Sequence, residues 1–249
     1  MIFIACAALA ATGCSSMRKS KEIVRDAQYY FDRGQEMLKK KNYVKAIGDF
    51  QTVVESFSES EIVPHAQFML AEAHFKSEEY ITASFEYERV YIDYPASDWA
   101  MDAQYKKALC YFMESPSARL DQGNTNLAVD EFNRFIDNYP NSKLAEEAQG
   151  NIAELRAKMA YKEYLNGETY KKLKHYEAAT IYYQYVIDTY PRTLWAEYAR
   201  FGIAEVQFKT DEYEKAKSTL MPLVSRDIEK DLRNKVVSLI DDIEEIEAK

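Results

Sequence analysis

Histidines, cysteines and glycine-rich loops, which often carry out chemistry in proteins, are few in this chain and form no familiar pattern. The three histidines are His65, His74 and His175, and no HExxH or CxxC spacing connects them with one another or with a cysteine. His65 and His74 are nine residues apart, more than two turns of one predicted helix. No glycine-rich phosphate loop or Gly-x-Ser-x-Gly elbow is present. We therefore expect no catalytic site, no metal site and no cofactor.

Cys14 has surroundings that indicate a covalent modification. Residues 1–13 carry no charge, and this apolar run is too short to span a bilayer but has the length of a secretory signal. The segment Ala11-Thr12-Gly13-Cys14 resembles a bacterial lipobox, in which the chain is cleaved before a cysteine that receives a lipid. We predict a signal peptide over 1–13, lipidation at Cys14 and a tether over 14–26. The alternative is an ordinary signal peptide with an incidental cysteine.

The residues around this segment refine the prediction. Ala11 stands where a lipobox usually has leucine, and no basic residue precedes the apolar run, which indicates that the true start lies upstream. Ser15, rather than aspartate, resembles the pattern of lipoproteins passed on to the outer membrane. Because Cys6 would be removed and Cys14 acylated, Cys110 would have no partner for a disulfide. We expect Cys110 to be a buried structural residue.

Composition indicates a folded, helical protein that does not bind nucleic acid. Of the 249 residues, 47% are hydrophobic and 29% are charged, whereas only seven are glycine and six are proline. The formal net charge is −9, with 32 basic against 41 acidic residues and no basic stripe. Phosphate binding relies on clustered lysine and arginine, so we exclude nucleic acid as a partner.

An internal repeat runs along the chain and is marked by a recurring Tyr-Pro dipeptide. It occurs at Tyr94-Pro95, Tyr139-Pro140 and Tyr190-Pro191. We expect a helix to end ahead of each proline, because proline disfavours the α conformation in the residue before it. A serine or threonine follows shortly after each proline, and we predict that it caps the next helix. These residues are Ser97, Ser142 and Thr193.

Five units share one register. The first helix of each unit has a small residue: Gly34, Ala71, Ala108, Gly167 and Ala204. The second helix has an alanine: Ala46, Ala83, Ala128, Ala179 and Ala216. A large residue follows that alanine by four positions: Phe50, Tyr87, Phe132, Tyr183 and Leu220. This pattern is typical of the TPR, a helix-turn-helix unit of ~34 residues in which small residues let two helices approach closely.

The spacing within the units predicts the architecture. The small residue precedes the alanine by 12 positions in four units and by 20 in the third, so eight residues are inserted there, around 115–124. Residues 228–249 are polar and acidic and are predicted to form a closing helix. We predict an all-α fold of five TPR-like helix-turn-helix repeats in a right-handed superhelical solenoid.

The first helices of units one to three carry a set of side chains, here called the ladder, that could bind a peptide. Its first level is Phe31, Phe68 and Tyr105, a position continued by Tyr164 and Phe201 in the later units. Its second level lies seven residues on, on the same helix face, and is Leu38, Phe75 and Phe112. Between the levels lie Gln35, Glu72 and Leu109. We predict that an extended peptide with alternating aromatic residues docks there; the alternative is packing between neighbouring helices.

The two halves of the array differ in charge. Lys171, Lys172 and Lys174 make the fourth unit basic, whereas the last helix carries Asp241, Asp242, Glu244, Glu245 and Glu247. This difference would suit two partners, although charge runs are usually solvated faces. We therefore divide the array into a half over 27–145, with units one to three, and a half over 146–249, with units four and five and the closing helix, each for a different partner.

The chain resembles the BamD family, lipoproteins of the outer-membrane β-barrel assembly machinery. The resemblance is carried by Cys14, by the segments 27–31, 43–46 and 154–160, and by the order of five units with a lengthened third unit. It covers essentially the whole mature chain. It implies a lipid-anchored scaffold without catalysis, on the periplasmic face of the outer membrane.

The resemblance also implies partners. Family members bind the periplasmic domains of the barrel protein BamA through their C-terminal units and associate with other assembly-machinery lipoproteins. Their N-terminal units are proposed to recognise the C-terminal signal of unfolded outer-membrane proteins, which ends in an aromatic residue. We predict that Tyr182, at a position the resemblance singles out, binds the partner together with the basic residues Lys171 and Lys172. Tyr182 stands near the place where many relatives have an arginine that pairs with BamA, so that ion pair is absent or replaced here.

Two other protein families are alternative interpretations of this sequence. A different exported TPR protein, such as a CpoB-like cell-division coordinator, usually lacks a lipid anchor and has an N-terminal coiled coil, whereas this chain has Cys14 and no heptad stretch. A SusD-like glycan-binding protein is much longer, with large insertions between its helices. The even spacing of the units argues against that reading.

Overall fold

The computed structural model describes residues 25–248, and this part of the chain is all-helical, without strands. Its eleven helices are α1 (Ala27–Lys39), α2 (Tyr43–Ser56), α3 (Val63–Lys76), α4 (Tyr80–Asp93), α5 (Ala100–Met113), α6 (Gly123–Asn138), α7 (Lys143–Lys172), α8 (Tyr176–Thr189), α9 (Leu194–Lys209), α10 (Tyr213–Val224) and α11 (Lys230–Glu247). The first ten form five helix pairs, which confirms the predicted repeat units. The predicted signal peptide, lipidated Cys14 and most of the tether lie outside the described residues.

The helix pairs stack in chain order. Each helix packs against the next, and first helices of successive pairs also touch, as α7 does with α5 and α9. Contacts therefore connect near neighbours in the chain, as in solenoid proteins. The right-handed sense of the superhelix stays a prediction.

The turns inside the pairs are short and alike. In units one, two, four and five only three residues separate the two helices. The middle residue of each has positive φ, in the left-handed region: Lys41, Glu78, Lys174 and Asp211. In unit three the segment 114–122 replaces this turn, which confirms the predicted insertion.

The positions that define the repeat form its core. The five second-helix alanines and the five large residues four positions later are all 0% exposed. The two helices of a unit approach each other closely at the small residue. A Cβ added to Gly34 would lie only 2.7 Å from the ring of Phe50. A Cβ on Gly167 or Gly202 would lie 2.6 or 2.7 Å from the ring of Tyr183. Small residues on the first helices therefore make room for a ring on the second helix.

Helix α7 is much longer than the other first helices, which the sequence pattern did not predict. It has 30 residues, corresponding to about 45 Å at 1.5 Å per residue. Its first half packs with unit three, where Ile152 and Leu155 join the core around Phe132. Its second half packs with unit four, where Ala160 joins the core around Tyr183. The helix thus spans the boundary proposed between the two halves.

Two of the three predicted helix caps are wrong. Ser142 caps α7 by accepting a hydrogen bond from the backbone N–H of Leu144 at 3.2 Å. Thr193 is the N-cap residue of α9 but its hydroxyl donates to the carbonyl of Tyr190 at 2.8 Å. Ser97 lies before the N-cap residue of α5, Trp99, and its buried hydroxyl has no hydrogen-bond partner within residues 25–248. Tyr-Pro-x-Ser spacing alone does not determine where the next helix begins.

The closing helix α11 covers the end of the stack. Four apolar residues on one side are buried against unit five: Leu232, Val236, Leu239 and Ile243. On its polar side, Lys217 of α10 forms ion pairs with Glu244 and Glu247 at 3.5 and 3.2 Å. A helix over most of 228–249 is therefore confirmed. No helix within the described range 25–248 is long and apolar enough to cross a membrane.

Candidate protein-binding surface

The first level of the ladder lies inside the protein. Phe31, Phe68 and Tyr105 are 4%, 7% and 4% exposed. Each packs against the ring on the second helix of its own unit, with centroid distances of 5.8, 5.6 and 5.7 Å. Tyr164 repeats this contact with Tyr183 at 5.9 Å. These residues therefore pack between helices, which was the alternative to peptide binding. Each one contacts the large ring that lies four positions after the alanine of the second helix.

The second level of the ladder is partly accessible and also packs against the core. Leu38, Phe75 and Phe112 are half-buried, near the C-terminal ends of α1, α3 and α5. Phe75 packs edge-on against Tyr80 at 5.1 Å, and the ammonium of Lys106 lies 5.3 Å from its centroid. The three residues between the levels are also half-buried: Gln35, Glu72 and Leu109. An apolar row with polar neighbours thus reaches the surface of units one to three.

Glu72 is already paired inside the protein. Its carboxylate accepts a hydrogen bond from the hydroxyl of Tyr87 and forms an ion pair with Lys106 at 2.9 Å. Burial, followed by the negative charge of Glu72, raises the pKa of Tyr87, so that hydroxyl stays protonated and donates. Unit four repeats this arrangement, because Tyr183 donates to Glu168 at 2.6 Å. In units one and three the ring is phenylalanine, and no such bond is possible.

The two tryptophans form equivalent stacks that were not predicted from the sequence. Trp99, at the start of unit three, stacks on His65 of unit two with a centroid distance of 4.1 Å. Trp195, at the same register in unit five, stacks on Tyr161 of unit four, also at 4.1 Å. Burial lowers the pKa of His65, which favours the neutral ring for stacking. The signal was present in the sequence, because both tryptophans directly precede an alanine and lie two residues after Ser97 or Thr193.

The basic residues predicted on unit four differ in exposure. Lys171 is half-buried and forms ion pairs with Glu168 and Glu205 at 2.6 and 2.5 Å. Burial acts to lower the pKa of Lys171, but hydrogen bonds to both glutamates outweigh it and raise the pKa. Lys172 is exposed. Tyr182 on α8 stacks on Tyr170, with centroids 5.2 Å apart and planes 12° apart. The ammonium of Lys171 is therefore occupied internally, whereas Lys172 and Tyr182 reach the surface.

A groove of about 600 Å³ lies between α6, α7 and the segment that joins α8 to α9. Its lining combines apolar residues, among them Ile136 and Ile152, with Arg156 and Arg192. Asp188 also lines the groove, so its lining combines apolar side chains with charges of both signs.

The described residues hold few groups arranged for chemistry. Within 25–248, no three His, Cys, Asp or Glu side chains are placed to hold a metal ion. Cys110 is a free, buried cysteine, as predicted. Burial raises the pKa of Cys110 to about 12, so its thiol is protonated at neutral pH.

Comparisons with known proteins relate the chain to a family. Residues 24–222 match the family described as YfiO, outer membrane lipoprotein. The outer membrane protein assembly factor BamD of Rickettsia prowazekii is 30% identical over 206 residues, covering 82% of this chain and 82% of the relative. That of Caulobacter vibrioides is 27% identical over 213 residues, covering 84% of this chain and 70% of the relative. Among solved structures, a tetratricopeptide repeat protein from Parabacteroides merdae has a TM-score of 0.40 and 11% identity, over 89% of this chain and 87% of that one.

Proposed function

The chain belongs to the YfiO family of outer membrane lipoproteins, and from that membership we propose that it is a scaffold for the assembly of outer-membrane β-barrel proteins. The observation that carries this proposal is the family match over residues 24–222, which extends from before α1 into the last turn of α10. The scaffold acts by binding rather than by catalysis. Stacked helix pairs suit this role because they present long surfaces on rigid elements.

Depletion of the protein in its own bacterium tests this proposal. As expression is shut off, we expect the amounts of several β-barrel proteins in the outer membrane to fall together. Soluble periplasmic proteins and inner-membrane proteins should keep their amounts, since they do not use the assembly machinery. Unchanged β-barrel proteins after complete depletion would refute the proposed function.

A lipid on Cys14 anchors the protein at the periplasmic face of the outer membrane. The proposed tether, residues 14–26, precedes α1 in the chain. We expect Cys14→Ala to move the protein from the membrane fraction to the soluble periplasmic fraction, because the attachment site of the acyl chains is lost. Fractionation with immunoblotting measures this, with Cys110→Ala as the control that stays in the membrane. A Cys14→Ala protein that remains fully membrane-bound would contradict lipid anchoring.

Residues 27–145 form the substrate-binding half and receive unfolded outer-membrane proteins. The second level of the ladder supports this proposal, because Leu38, Phe75 and Phe112 repeat in register and are partly accessible. Alternate side chains of an extended peptide would pack on this row, with Gln35, Glu72 and Leu109 beside them. The buried first level, Phe31, Phe68 and Tyr105, supports the row from beneath.

Truncating two residues of the second level tests whether the ladder binds a peptide. For the double variant Phe75→Ala, Phe112→Ala we expect affinity for a ten-residue peptide ending in phenylalanine to fall about ten- to thirty-fold, since each lost contact contributes roughly 1 kcal/mol. The matched control is Phe85→Ala, which removes a ring that is 57% exposed on α4 and outside the ladder. Fluorescence anisotropy measures binding, and circular dichroism checks that each variant is folded. Equal affinity in the folded double variant would reject the ladder as the binding surface.

Residues 146–249 form the scaffold half and bind a BamA-like barrel protein, together with other assembly-machinery lipoproteins. Tyr182 and Lys172 reach the surface there, and the nearby groove adds apolar and charged side chains. A tyrosine at position 182 gives a flat aromatic contact in place of an ion pair. Lys171 supports this surface from inside through its ion pairs with Glu168 and Glu205.

A further inference from the structure

Charge is distributed unevenly along the chain. Residues 14–45, which comprise the proposed tether, α1 and the start of α2, contain nine basic and four acidic residues, a net charge of +5. Residues 46–249 contain the other 23 basic and 37 acidic residues, a net charge of −14. The total of −9 therefore conceals a basic N-terminal part in an otherwise acidic chain.

Four lysines of this basic part lie together where α1 turns into α2, on residues 39–45, here called the α1–α2 turn. Lys39, Lys40, Lys41 and Lys45 are all exposed. Lys41 occupies the positive-φ position in the middle of the turn. The ammonium of Lys40 pairs with Glu36 at 2.5 Å. The side chains of the other three lysines form no ion pair or hydrogen bond with any residue of the described range 25–248. The turn therefore presents three cations without a counter-charge.

An apolar side chain stands among these lysines. Val44, the second residue of α2, is 83% exposed, the highest fraction among the large apolar side chains within 25–248. Water is a poor environment for such a side chain, which gains free energy when an apolar medium covers it. Lysines beside an exposed apolar residue are typical of protein surfaces that rest on a membrane. The ammonium groups bind anionic headgroups there, and the apolar side chain enters the interface.

The equivalent turns of the other units do not combine these features. Those of units two and five are acidic, with Glu78-Glu79 and Asp211-Glu212. The turn of unit four is basic, with Lys172 and Lys174, but a glutamate, Glu177, stands at the register of the exposed valine. Among these turns, only that of unit one has both the positive charge and the apolar side chain.

The lipid anchor proposed at Cys14 brings the α1–α2 turn within reach of a membrane. The 13 residues from Cys14 to Ala27 can extend up to about 45 Å, because an extended chain covers at most ~3.3–3.6 Å per residue. Helix α1 has 13 residues and measures about 20 Å at 1.5 Å per residue. Because the tether can exceed the length of α1, the turn at the far end of α1 can contact the bilayer that holds the lipid.

We propose that the α1–α2 turn binds the headgroups of anionic phospholipids in the membrane that holds the anchor. The proposal rests on the lipid anchoring proposed above and adds a second contact with the same membrane. Lys39, Lys41 and Lys45 bind the headgroup phosphates, and Val44 enters the interface. A single attachment point does not orient the helical stack, whereas this second contact holds unit one at the membrane surface. The contact alone is weak and reversible, so it does not replace the lipid when Cys14 is removed in the cell.

The test measures vesicle binding by the full-length mature chain with Cys14→Ala, to which no acyl chain is attached. We expect it to cosediment with vesicles of phosphatidylcholine that contain about one third phosphatidylglycerol, but not with phosphatidylcholine alone. This binding should weaken as the salt concentration rises. With Lys39, Lys40, Lys41 and Lys45 all changed to glutamine, we expect binding to fall by at least about ten-fold, because each lysine near an anionic surface contributes to the attraction.

A single substitution provides a second test on the same turn. Val44→Glu introduces the residue type that unit four has at this register, and we expect it to weaken vesicle binding about five-fold. Folding should be retained, since an acidic residue in the first turn of a helix is favourable, and circular dichroism checks it.

A matched control removes the same charge from the other end of the stack. The exposed lysines Lys209, Lys215, Lys230 and Lys235 are all changed to glutamine, and this variant should keep its vesicle binding. Equal loss in the control and in the α1–α2 turn variant would overturn the turn as the membrane contact. Absence of binding to phosphatidylglycerol vesicles at low salt would also overturn it and would favour an acidic protein as the partner of the turn. Both results leave the lipid anchor intact, because fractionation of the acylated protein tests the anchor separately.

Discussion

Replacing Tyr183 with alanine is expected to lower the free energy of unfolding by about 3–5 kcal/mol, the range for removing a fully buried aromatic ring. The ring is 0% exposed and fits between α7 and α9, where Gly167 and Gly202 leave room for it. Alanine would leave a cavity at the junction of units four and five. It would also leave Glu168 without the hydroxyl that donates to it at 2.6 Å. Urea denaturation followed by circular dichroism measures the change.

Two companion variants separate the contributions to this loss. Tyr183→Phe keeps the ring and removes the hydroxyl, so we expect a smaller loss of about 1–2 kcal/mol. Tyr185→Ala, two residues along the same helix, removes a ring that is 48% exposed and should change stability by less than about 0.5 kcal/mol. If Tyr183→Ala were as mild as Tyr185→Ala, the ring would not hold the two units together.

Replacing Lys107 with alanine is expected to cost about 3–5 kcal/mol, the cost of removing one partner from a buried ion pair. Lys107 is 5% exposed, and its ammonium lies 2.6 Å from Glu88 and 3.2 Å from Glu131. Burial acts to lower the pKa of Lys107, but these carboxylates and Tyr91 outweigh it and raise the pKa, so the ammonium stays charged. Without it, the buried carboxylate of Glu131 would keep only Arg134 as a cationic partner.

Charge neutralisation should recover part of this loss. We expect Lys107→Met with Glu131→Leu to be more stable than Lys107→Ala, because apolar residues of similar volume often replace a buried ion pair without cost. The matched control is Lys215→Ala, which breaks the exposed pair with Glu212 and should cost no more than about 1 kcal/mol. Thermal and urea denaturation of the set would decide. Equal losses for Lys107→Ala and Lys215→Ala would mean that the ion pairs of buried Lys107 stabilise the protein no more than an exposed pair does.

The repeat architecture was predictable because it depends on residue size at fixed intervals. The alanine of each second helix and the large residue four positions later are readable in the sequence, and all are buried as the register requires. The insertion was visible as a change in one interval, from 12 to 20 residues. The packing of small against large residues depends on short intervals along the chain, so the repeat can be recognised in a single sequence.

Features that depend on contacts between units were harder to predict. The continuous α7 has no proline or helix-breaking turn before Lys172, but nothing in the repeat pattern states that unit three and unit four share one helix. Ser97 was expected to cap α5, although the helix begins later, after Trp99. That tryptophan stacks on His65 of the preceding unit, a contact 34 residues away in the chain.

In the candidate sites too, the sequence predicted what depends on spacing within a unit and not what depends on contacts between units. The interval of seven residues correctly put both levels of the ladder on one helix face, but it could not separate buried Phe68 from half-buried Phe75. Phe68 is covered by Trp99 of the next unit, at a centroid distance of 4.9 Å, as well as by Tyr87 of its own unit. For the same reason Lys171 resembled a free surface charge, whereas Glu205 of the next unit neutralises it.

We infer that this protein is a scaffold of the β-barrel assembly machinery. The most direct measurement is affinity purification of the lipidated protein from membranes in mild detergent, with quantitative mass spectrometry of the proteins that accompany it. We predict recovery of a BamA-like barrel protein in near-equal amount, and less of it with Tyr182→Ala. Recovery of cell-wall synthesis or division proteins, without any barrel protein, would contradict the claim and favour an adaptor of the CpoB-like kind.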